Sequence, residues 1–354
     1  MNFEHLIDLD DLSLDKLNEI IDMASRISKH PEHYRHACSG KILATLFYEP
    51  STRTKMSFEA AMQRLGGTVI GFDNPMGSSV SKGETLQDTV KVVSGYSDIL
   101  VIRHSRDGAA LAAAQASLVP VINAGDGTHM HPTQTLADLV TLMNKAGRLD
   151  NLKIGLCGDL KNGRTVHSLI KTMCRYENNS FVLISSPEFA LPDYSKDYIT
   201  DSGASYMETD SLKDSIGGLD VLYMTRMQRE RDVNAKESFN ILDLETLRLG
   251  KPSLCVLHPL PRVDEITKDV DADTRAVYFE QTRYGMYARM SLILNMLGKG
   301  LGIEKDQSSE IESKTLCSYS NCITNQETYL KRLYEKDGKE LICRYCEHRT
   351  KSKE

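Results

Sequence analysis

The chain has 354 residues, of which 40% are hydrophobic and 26% charged, and its formal net charge is −6. That length accommodates two domains of ordinary size and a small third one, while the charge excludes an extensive nucleic-acid-binding surface, which would need clustered Lys and Arg. The first residues lack the basic and apolar segments of a secretory signal and no apolar run is long enough to span a bilayer, so we expect a cytoplasmic protein without membrane contact.

Apolar periodicity predicts alternating helices and strands along most of the chain. Residues 13–29 form an amphipathic helix, and a helix that starts near Pro132 and ends by Gly147 connects two series of strands. The first series is Ile42–Phe47, Val69–Phe72, Ile99–Ile102 and Val119–Ile122; the second is Lys153–Cys157, Phe181–Ile184, Val221–Met224, Leu254–Leu257 and Val277–Phe279. This order predicts an α/β fold with two doubly wound parallel-sheet domains joined by long helices.

The predicted domain boundaries follow from this pattern. Residues 1–131 form the first domain and residues 132–300 the second, with a helix at about 286–298 that packs back on the first. Residues 301–314 are polar and contain Gly and Ser, which is typical of a linker. Residues 315–354 form a small C-terminal β module, similar to a zinc ribbon.

An anion site is predicted where the first strand runs into a helix. Ser51, Thr52, Arg53 and Thr54 stand at that helix start. Unpaired N–H groups and the positive end of the helix dipole favour an anion there, and the hydroxyls and guanidinium add donors for one phosphate. Taken alone, the motif suits an ordinary N-cap at Ser51 or Thr52 equally well.

Further polar motifs follow other predicted strands or open helices. They are Ser78 and Lys82 in SSVSKGET, Arg103 at a strand end, His131 and Gln134 in HPTQ, Arg164 in GRTVHS, Arg226 and Gln228 in TRMQ, and Pro259 and Leu260 in HPLP. In parallel α/β sheets, ligands bind at the carboxyl ends of strands. Singly, each motif also suits a solvated loop, a surface arginine or a structural histidine. The glycine spacing after Lys153–Cys157 does not match a dinucleotide site.

Taken in order, these motifs resemble those of the carbamoyltransferase family over roughly residues 1–300. The resemblance implies that Ser51 to Thr54 bind the phosphate of carbamoyl phosphate, with Ser78 and Lys82 reaching in from a neighbouring subunit. It implies that Arg103 contacts the phosphate and the carbonyl oxygen, His131 the carbonyl oxygen and Gln134 the amide. The implied catalytic residues are Arg53, Thr54, Lys82, Arg103 and His131.

The same resemblance implies how the second substrate is bound. Arg164 takes the α-carboxylate of L-aspartate, Arg226 with Gln228 the side-chain carboxylate, and the carbonyls of Pro259 and Leu260 face the amine. Ornithine-specific relatives usually carry HPCQ and HCLP, whereas this chain has Thr133 and Pro259 at those places.

The implied reaction gives N-carbamoyl-L-aspartate and phosphate, an early step of pyrimidine biosynthesis, without a catalytic cofactor. The resemblance also implies a homo-oligomer, either a trimer or a dimer of trimers, with active sites shared between subunits. Two alternatives remain: a transcarbamylase for another amino acid, and a non-catalytic scaffold, against which the full set of site residues argues.

A separate metal site is predicted in the C-terminal tail. Cys317, Cys322, Cys343 and Cys346 have the spacing C-x4-C-x20-C-x2-C. Four thiolates make a closed tetrahedral site for structural Zn²⁺, whereas disulfides are disfavoured in the cytoplasm. The tail resembles the zinc domain of the regulatory chain of allosteric family members, but the nucleotide-binding domain that precedes it there is missing. We therefore expect a role in assembly or stability rather than in binding nucleic acid.

Overall fold

The structure, a computed structural model, describes residues 5–74, 79–226, 240–298, 310–338 and 340–351. The chain forms two compact units: unit 1 comprises Met1–Thr133 and Met286–Glu354, and unit 2 comprises Gln134–Gly285. Within the described ranges, no helix combines the length and apolar character needed to cross a bilayer.

Unit 1 contains a four-stranded parallel sheet. Its strands are β1 (Ile42–Phe47), β2 (Thr68–Phe72), β3 (Ile99–His104) and β4 (Val121–Asp126), in the order β2-β1-β3-β4. Its helices are α1 (Leu14–Lys29), α2 (Thr52–Arg64), α3 (Leu86–Ser94) and α4 (Ala109–Ala116), and α5 (Pro132–Lys145) begins here. The chain leaves β1 towards β2 on one side and β3 lies on the other. The carboxyl ends of β1 and β3 therefore flank a topological switch point, where α/β folds bind ligands.

Unit 2 contains a five-stranded parallel sheet. Its strands are β5 (Lys153–Cys157), β6 (Ser180–Ile184), β7 (Ser205–Thr209), β8 (Val221–Met224) and β9 (Cys255–Leu257), in the order β7-β6-β5-β8-β9. Its helices are α6 (Arg164–Met173), α7 (Asp193–Asp201), α8 (Leu212–Ser215), α9 (Leu244–Arg248) and the first part of α10 (Tyr278–Gly298). The switch point of this sheet lies between β5 and β8.

The C-terminal residues form an antiparallel sheet that belongs to unit 1. Its strands are β10 (Glu310–Glu312), β11 (Leu333–Asp337), β12 (Glu340–Cys343) and β13 (Arg349–Lys351), in that order. We call residues 310–351 the module. Buried Tyr334 and Tyr345 of the module belong to the same apolar cluster as the alanines of α4. The first strand, β10, falls inside the segment that the sequence predicts as a linker.

The predicted fold class is confirmed: two parallel-sheet α/β domains and a small antiparallel module. Two local predictions were wrong. Val277–Phe279 is not a strand, because Tyr278 begins the helix α10; a short apolar run does not distinguish a strand from a buried helix start. The strand β7 was not predicted, since most of its residues are exposed at the edge of the sheet and lack an apolar pattern.

Candidate active site and metal centre

The predicted phosphate-binding residues open helix α2 directly after β1. Ser51 occupies the N-cap position, but its hydroxyl makes no cap hydrogen bond; it donates to the Thr54 hydroxyl at 3.0 Å. Thr52 and Arg53 are exposed and Thr54 is buried. The Ser51 side chain therefore does not act as an ordinary N-cap, and the anion site at this turn remains a prediction.

Arg103 and His131 meet in unit 1, and Arg103 also contacts Tyr48 and Glu49, which lie between β1 and this turn. Arg103 is the second-last residue of β3, and its carbonyl oxygen accepts a hydrogen bond from the N–H of Tyr48 at 2.8 Å, which ties the end of β3 to the residues after β1. Arg103 Nη1 lies 3.4 Å from His131 Nε2 and donates to Ala124 O at 3.1 Å. Both side chains are buried. The structure thus brings together a guanidinium and an imidazole, and both types of side chain can donate a hydrogen bond to an oxyanion.

Two residues that the sequence analysis missed shape the surroundings of Arg103 and His131 in unit 1. Glu49 Oε2 lies 2.9 Å from Arg103 Nη2 and orients the guanidinium. Gly125 has φ +114°, and a Cβ there would lie 2.9 Å from Arg103 Nη1 and 3.4 Å from His131 Cδ2. A glycine is therefore required where the backbone passes between these side chains. Glu49 was detectable only as an acidic neighbour of the motif.

The predicted loop residues Ser78 and Lys82 have different outcomes. Lys82 ends a short 3-10 helix, Ser79–Lys82, and is exposed. Ser78 lies outside the described residues. An exposed lysine on a surface loop is compatible with a role in a neighbouring subunit, which remains a prediction.

In unit 2, Gln134 is held by a buried carboxylate. Gln134 Nε2 donates to Asp138 Oδ1 at 2.8 Å, and Gln281 Nε2 donates to the same atom at 2.6 Å. Gln281 Oε1 in turn accepts the backbone N–H of His258 at 3.0 Å. Asp138 and Gln281 therefore link the glutamine of HPTQ to the start of HPLP. Only the i, i+4 spacing of Gln134 and Asp138 signalled part of this network in the sequence.

The HPLP segment has its own support. Leu260 has φ +55°, and its N–H donates to His258 Nδ1 at 2.7 Å. Because Nδ1 accepts, the ring proton sits on Nε2, which lies 2.6 Å from Glu265 Oε1. The pKa of Glu265 is lowered: burial opposes ionisation, but hydrogen bonds from His258 and backbone N–H groups outweigh it. This pair fixes the backbone that presents the Pro259 and Leu260 carbonyls; the peptide bond that follows, Leu260–Pro261, is cis.

The two arginines predicted to bind the carboxylates of aspartate follow neighbouring strands at the switch point of the second sheet. Arg164 begins α6 after β5, and Arg226 follows β8 by two residues. The N–H of Thr225 donates to Cys157 O at 2.8 Å, and a Cβ on Gly158 would lie only 2.3 Å from Thr225 O, so the two strand ends stay close. Both arginines are half-buried. Gln228 lies outside the described residues.

The four tail cysteines form one compact cluster in the module. All four are buried; Cys317 Sγ lies 3.5 Å from Cys346 Sγ, and Cys322 Sγ lies 3.8 Å from Cys343 Sγ. Zn–S bonds of about 2.3 Å in a tetrahedron place sulfur atoms about 3.8 Å apart, so the cluster fits the ion. The other three thiols lower the pKa of Cys317 by donating to its thiolate, which is the form that binds a metal.

Two family domains match most of the chain. Residues 4–144 match the carbamoyl-P binding domain, and residues 150–296 the Asp/Orn binding domain, of the aspartate/ornithine carbamoyltransferases. The chain belongs to the aspartate/ornithine carbamoyltransferase family. This confirms the resemblance and the transferase class. Both family domains end before the cysteine-rich module.

Relatives within the family are close in sequence and in structure. The aspartate carbamoyltransferase catalytic subunits of Clostridium novyi and Finegoldia magna are 54% and 53% identical, each over 83% of this chain and 98% of the relative. The catalytic subunit of M. jannaschii aspartate transcarbamoylase has 44% identity and a TM-score of 0.78, and covers 83% of this chain and 98% of its own. The Trypanosoma cruzi enzyme in complex with carbamoyl phosphate and aspartate has 37% identity and a TM-score of 0.77, covering 83% and 95%.

Proposed function

We propose that the chain transfers the carbamoyl group of carbamoyl phosphate to the α-amine of L-aspartate, giving N-carbamoyl-L-aspartate and phosphate. The observation that carries the proposal is the buried pair Arg103 and His131, 3.4 Å apart, in which Arg103 also pairs with Glu49 shortly before helix α2. The relatives named above are aspartate carbamoyltransferases, and one was solved with both substrates. Such a reaction supplies an early intermediate of pyrimidine biosynthesis.

The phosphate end is assigned to the residues of unit 1. Ser51, Thr52, Arg53 and Thr54 bind the phosphate oxygens with hydroxyls, guanidinium and the helix N–H groups. Lys82, together with Ser78, adds donors from a neighbouring copy of the chain.

The chemistry needs no protein nucleophile. The aspartate amine attacks the carbamoyl carbon, negative charge develops on the carbonyl oxygen, and Thr54, Arg103 and His131 stabilise it. The carbon–oxygen bond to phosphate then breaks, and the departing phosphate accepts the amine proton. Binding both substrates in attack geometry removes much of the entropic part of the barrier.

The aspartate end is assigned to the residues of unit 2. Arg164 binds the α-carboxylate and Arg226, with Gln228, the side-chain carboxylate, since planar guanidinium groups match carboxylates in two-point contacts. Gln134 holds the carbamoyl amide, and the Pro259 and Leu260 carbonyls accept from the amine. The support from Asp138, Gln281 and Glu265 described above keeps these acceptors fixed.

A homo-oligomer, either a trimer or a dimer of trimers, is the proposed assembly. Strand β2 is an edge strand with largely exposed residues, and Ile70 on it and Met56 on α2 are 39% and 61% exposed. An exposed apolar edge in an otherwise well-packed sheet is typical of a surface covered by another copy.

The module is proposed to hold one structural Zn²⁺ through Cys317, Cys322, Cys343 and Cys346. A closed four-thiolate site leaves no open coordination position, so the ion stabilises a sheet too small to bury a large core. Burial raises the pKa of Cys38 to about 11 and of Cys157 and Cys255 to about 12, which suits unreactive thiols of a cytoplasmic protein.

The decisive experiment measures carbamoylated product from purified protein with carbamoyl phosphate and either L-aspartate or L-ornithine. We expect turnover with aspartate alone, abolished in Arg53→Ala and retained in Arg64→Ala, which removes an exposed arginine from the other end of α2. Turnover with another amine would refute the assignment of the aspartate clamp. No turnover by a folded oligomer with any amine would favour the non-catalytic scaffold.

A further inference from the structure

The backbone of the module forms hydrogen bonds with a short segment that follows β3 in the same unit. The N–H of Asp107 donates to Asn321 O at 3.3 Å, and the N–H of Ile323 donates to Asp107 O at 2.9 Å. Asn321 Nδ2 also donates to Ser105 O at 3.0 Å. The backbone on either side of the metal ligand Cys322 is therefore joined to the backbone of residues 105–107.

Asp107 connects the module to a second segment, residues 125–130, which we call the histidine loop because it leads directly into His131. The Asp107 side chain is fully buried. Its Oδ1 accepts from Asn321 Nδ2 at 3.0 Å and from the N–H of Thr128 at 2.9 Å. One carboxylate thus holds a residue of the module and a residue of the histidine loop at once.

Two module side chains contact the histidine loop directly. Tyr319 Oη lies 2.9 Å from Thr128 Oγ1, which itself donates to Asp107 Oδ2 at 3.2 Å. Since the single proton of Thr128 goes to the carboxylate, Tyr319 is the donor to Thr128. Glu347 Oε2 lies 3.5 Å from Nε2 of His129, whose Nδ1 faces Asp126 Oδ2 at 3.5 Å.

The rest of the histidine loop transmits these contacts to His131. The N–H of Asp126 donates to Met130 O at 3.2 Å, and the N–H of Met130 donates to Asp126 Oδ1 at 3.3 Å. The N–H of Gly127 donates to His104 O at 2.8 Å, next to Arg103. The loop is a short closed turn, so displacing Thr128 displaces the start of the segment that carries His131.

We propose that the module positions His131 for catalysis, and that Tyr319, Asn321 and Glu347 are its positioning residues. This inference rests on the proposed function, because the role of His131 does. These polar contacts are not needed to hold the module against α4, because the apolar cluster that the two share already does so. The polar contacts are instead directed at the histidine loop.

The test compares two tyrosines of the module in the full-length, zinc-containing protein. Tyr319→Phe removes the hydroxyl that holds Thr128, whereas the matched control Tyr345→Phe removes a hydroxyl that contacts Gln115 and Lys331, away from the histidine loop. We expect Tyr319→Phe to lower kcat by about 3- to 10-fold and to change both KM values by less than about twofold. This pattern is typical of a variant that loses stabilisation of the transition state but not of the bound substrates. Metal content should not change, and Tyr345→Phe should keep its kcat within about 1.5-fold.

Two further measurements keep the inference separate from the proposed function. Amide hydrogen exchange of residues 125–131 should be faster in Tyr319→Phe but not in Tyr345→Phe, whether or not the protein turns over carbamoyl phosphate. If Tyr319 acts through Thr128, the double variant Tyr319→Phe/Thr128→Val should have the kcat of Thr128→Val alone. Unchanged kcat and exchange in Tyr319→Phe, equal effects in the two tyrosine variants, or additive losses in the double variant would overturn the inference. A wild type without turnover would refute only the proposed function.

Discussion

The module packs tightly against the backbone at Gly108, and a single added methyl group tests this contact. Gly108 is the N-cap of α4 and has φ +84°. A Cβ at this position would lie 2.4 Å from Tyr345 Cβ and 2.6 Å from Tyr345 O. Neither atom belongs to the flexible end of a side chain, so the module cannot accommodate Gly108→Ala without moving.

The expected cost has two parts. The left-handed backbone costs an alanine about 1–2 kcal/mol, and overpacking against Tyr345 adds about 1–3 kcal/mol. We therefore expect Gly108→Ala to lower the free energy of unfolding of unit 1 by about 2–5 kcal/mol. Gly40→Ala is the matched control, because Gly40 has φ +77° and a Cβ there would meet nothing within 4 Å. This control carries only the backbone part, about 1–2 kcal/mol.

The assay is urea unfolding followed by circular dichroism, since the chain has no Trp for fluorescence. Hydrogen exchange at residues 319–323 reports separately whether the module has lost its contacts with residues 105–107. The reasoning is refuted if Gly108→Ala costs no more than Gly40→Ala, or if it costs more while exchange at residues 319–323 stays slow.

Three other predictions concern pH, a buried network and the metal. Burial lowers the pKa of His104 to about 4, whereas the pKa in the unfolded chain is about 6.5. Between these values the unfolded chain binds more protons than the folded one, so the free energy of unfolding falls as the pH drops through this window. In urea titrations the wild type should lose about 2 kcal/mol more than His104→Asn from pH 7 to pH 5. Gln281→Met should lower the free energy of unfolding by about 1–3 kcal/mol, because the buried N–H of His258 loses its acceptor. The control Gln63→Met, at an exposed position, should change it by no more than about 0.5 kcal/mol, and equal values for the two variants would contradict the network of Asp138 and Gln281. The wild type should bind about one zinc per chain, as measured by metal analysis of protein purified with a reductant, and Cys322→Ser should abolish this binding. The control Cys174→Ser should retain the zinc, and a wild type without metal would refute the site.

Local patterns predicted the parts of the fold that depend on local burial. Strands β1 and β5 have the predicted bounds, because each is a buried apolar run bounded by polar residues. Gly147 ends helix α5 as predicted: its φ is +74° and its N–H donates to Leu142 O. The sequence also placed several polar motifs directly after predicted strands, where parallel α/β sheets bind ligands, but it did not predict the order of the strands in each sheet.

The contacts that the sequence did not predict join residues far apart in the chain. Gln281 reaches Asp138 across 143 residues, and Asn321 reaches Asp107 across 214. No spacing rule connects such pairs, since both depend on packing that forms only in the finished fold. The docking of the module was missed for the same reason: the cysteine spacing predicts a metal site but carries no information about the surface on which it lies.

The discontinuity of unit 1 has a consequence for synthesis of the chain. All residues of unit 2 emerge from the ribosome before Met286–Glu354, which complete unit 1. At about 5–20 residues per second, the histidine loop waits many seconds between its own synthesis and the arrival of Tyr319 and Asn321. Unit 2 is thus a continuous segment that can fold on the ribosome as a unit, whereas unit 1 cannot be completed before Met286–Glu354 have been synthesised. A chain without residues 310–351 would keep the residues proposed to bind the substrates but would lose the contacts that Tyr319 and Glu347 make with the histidine loop.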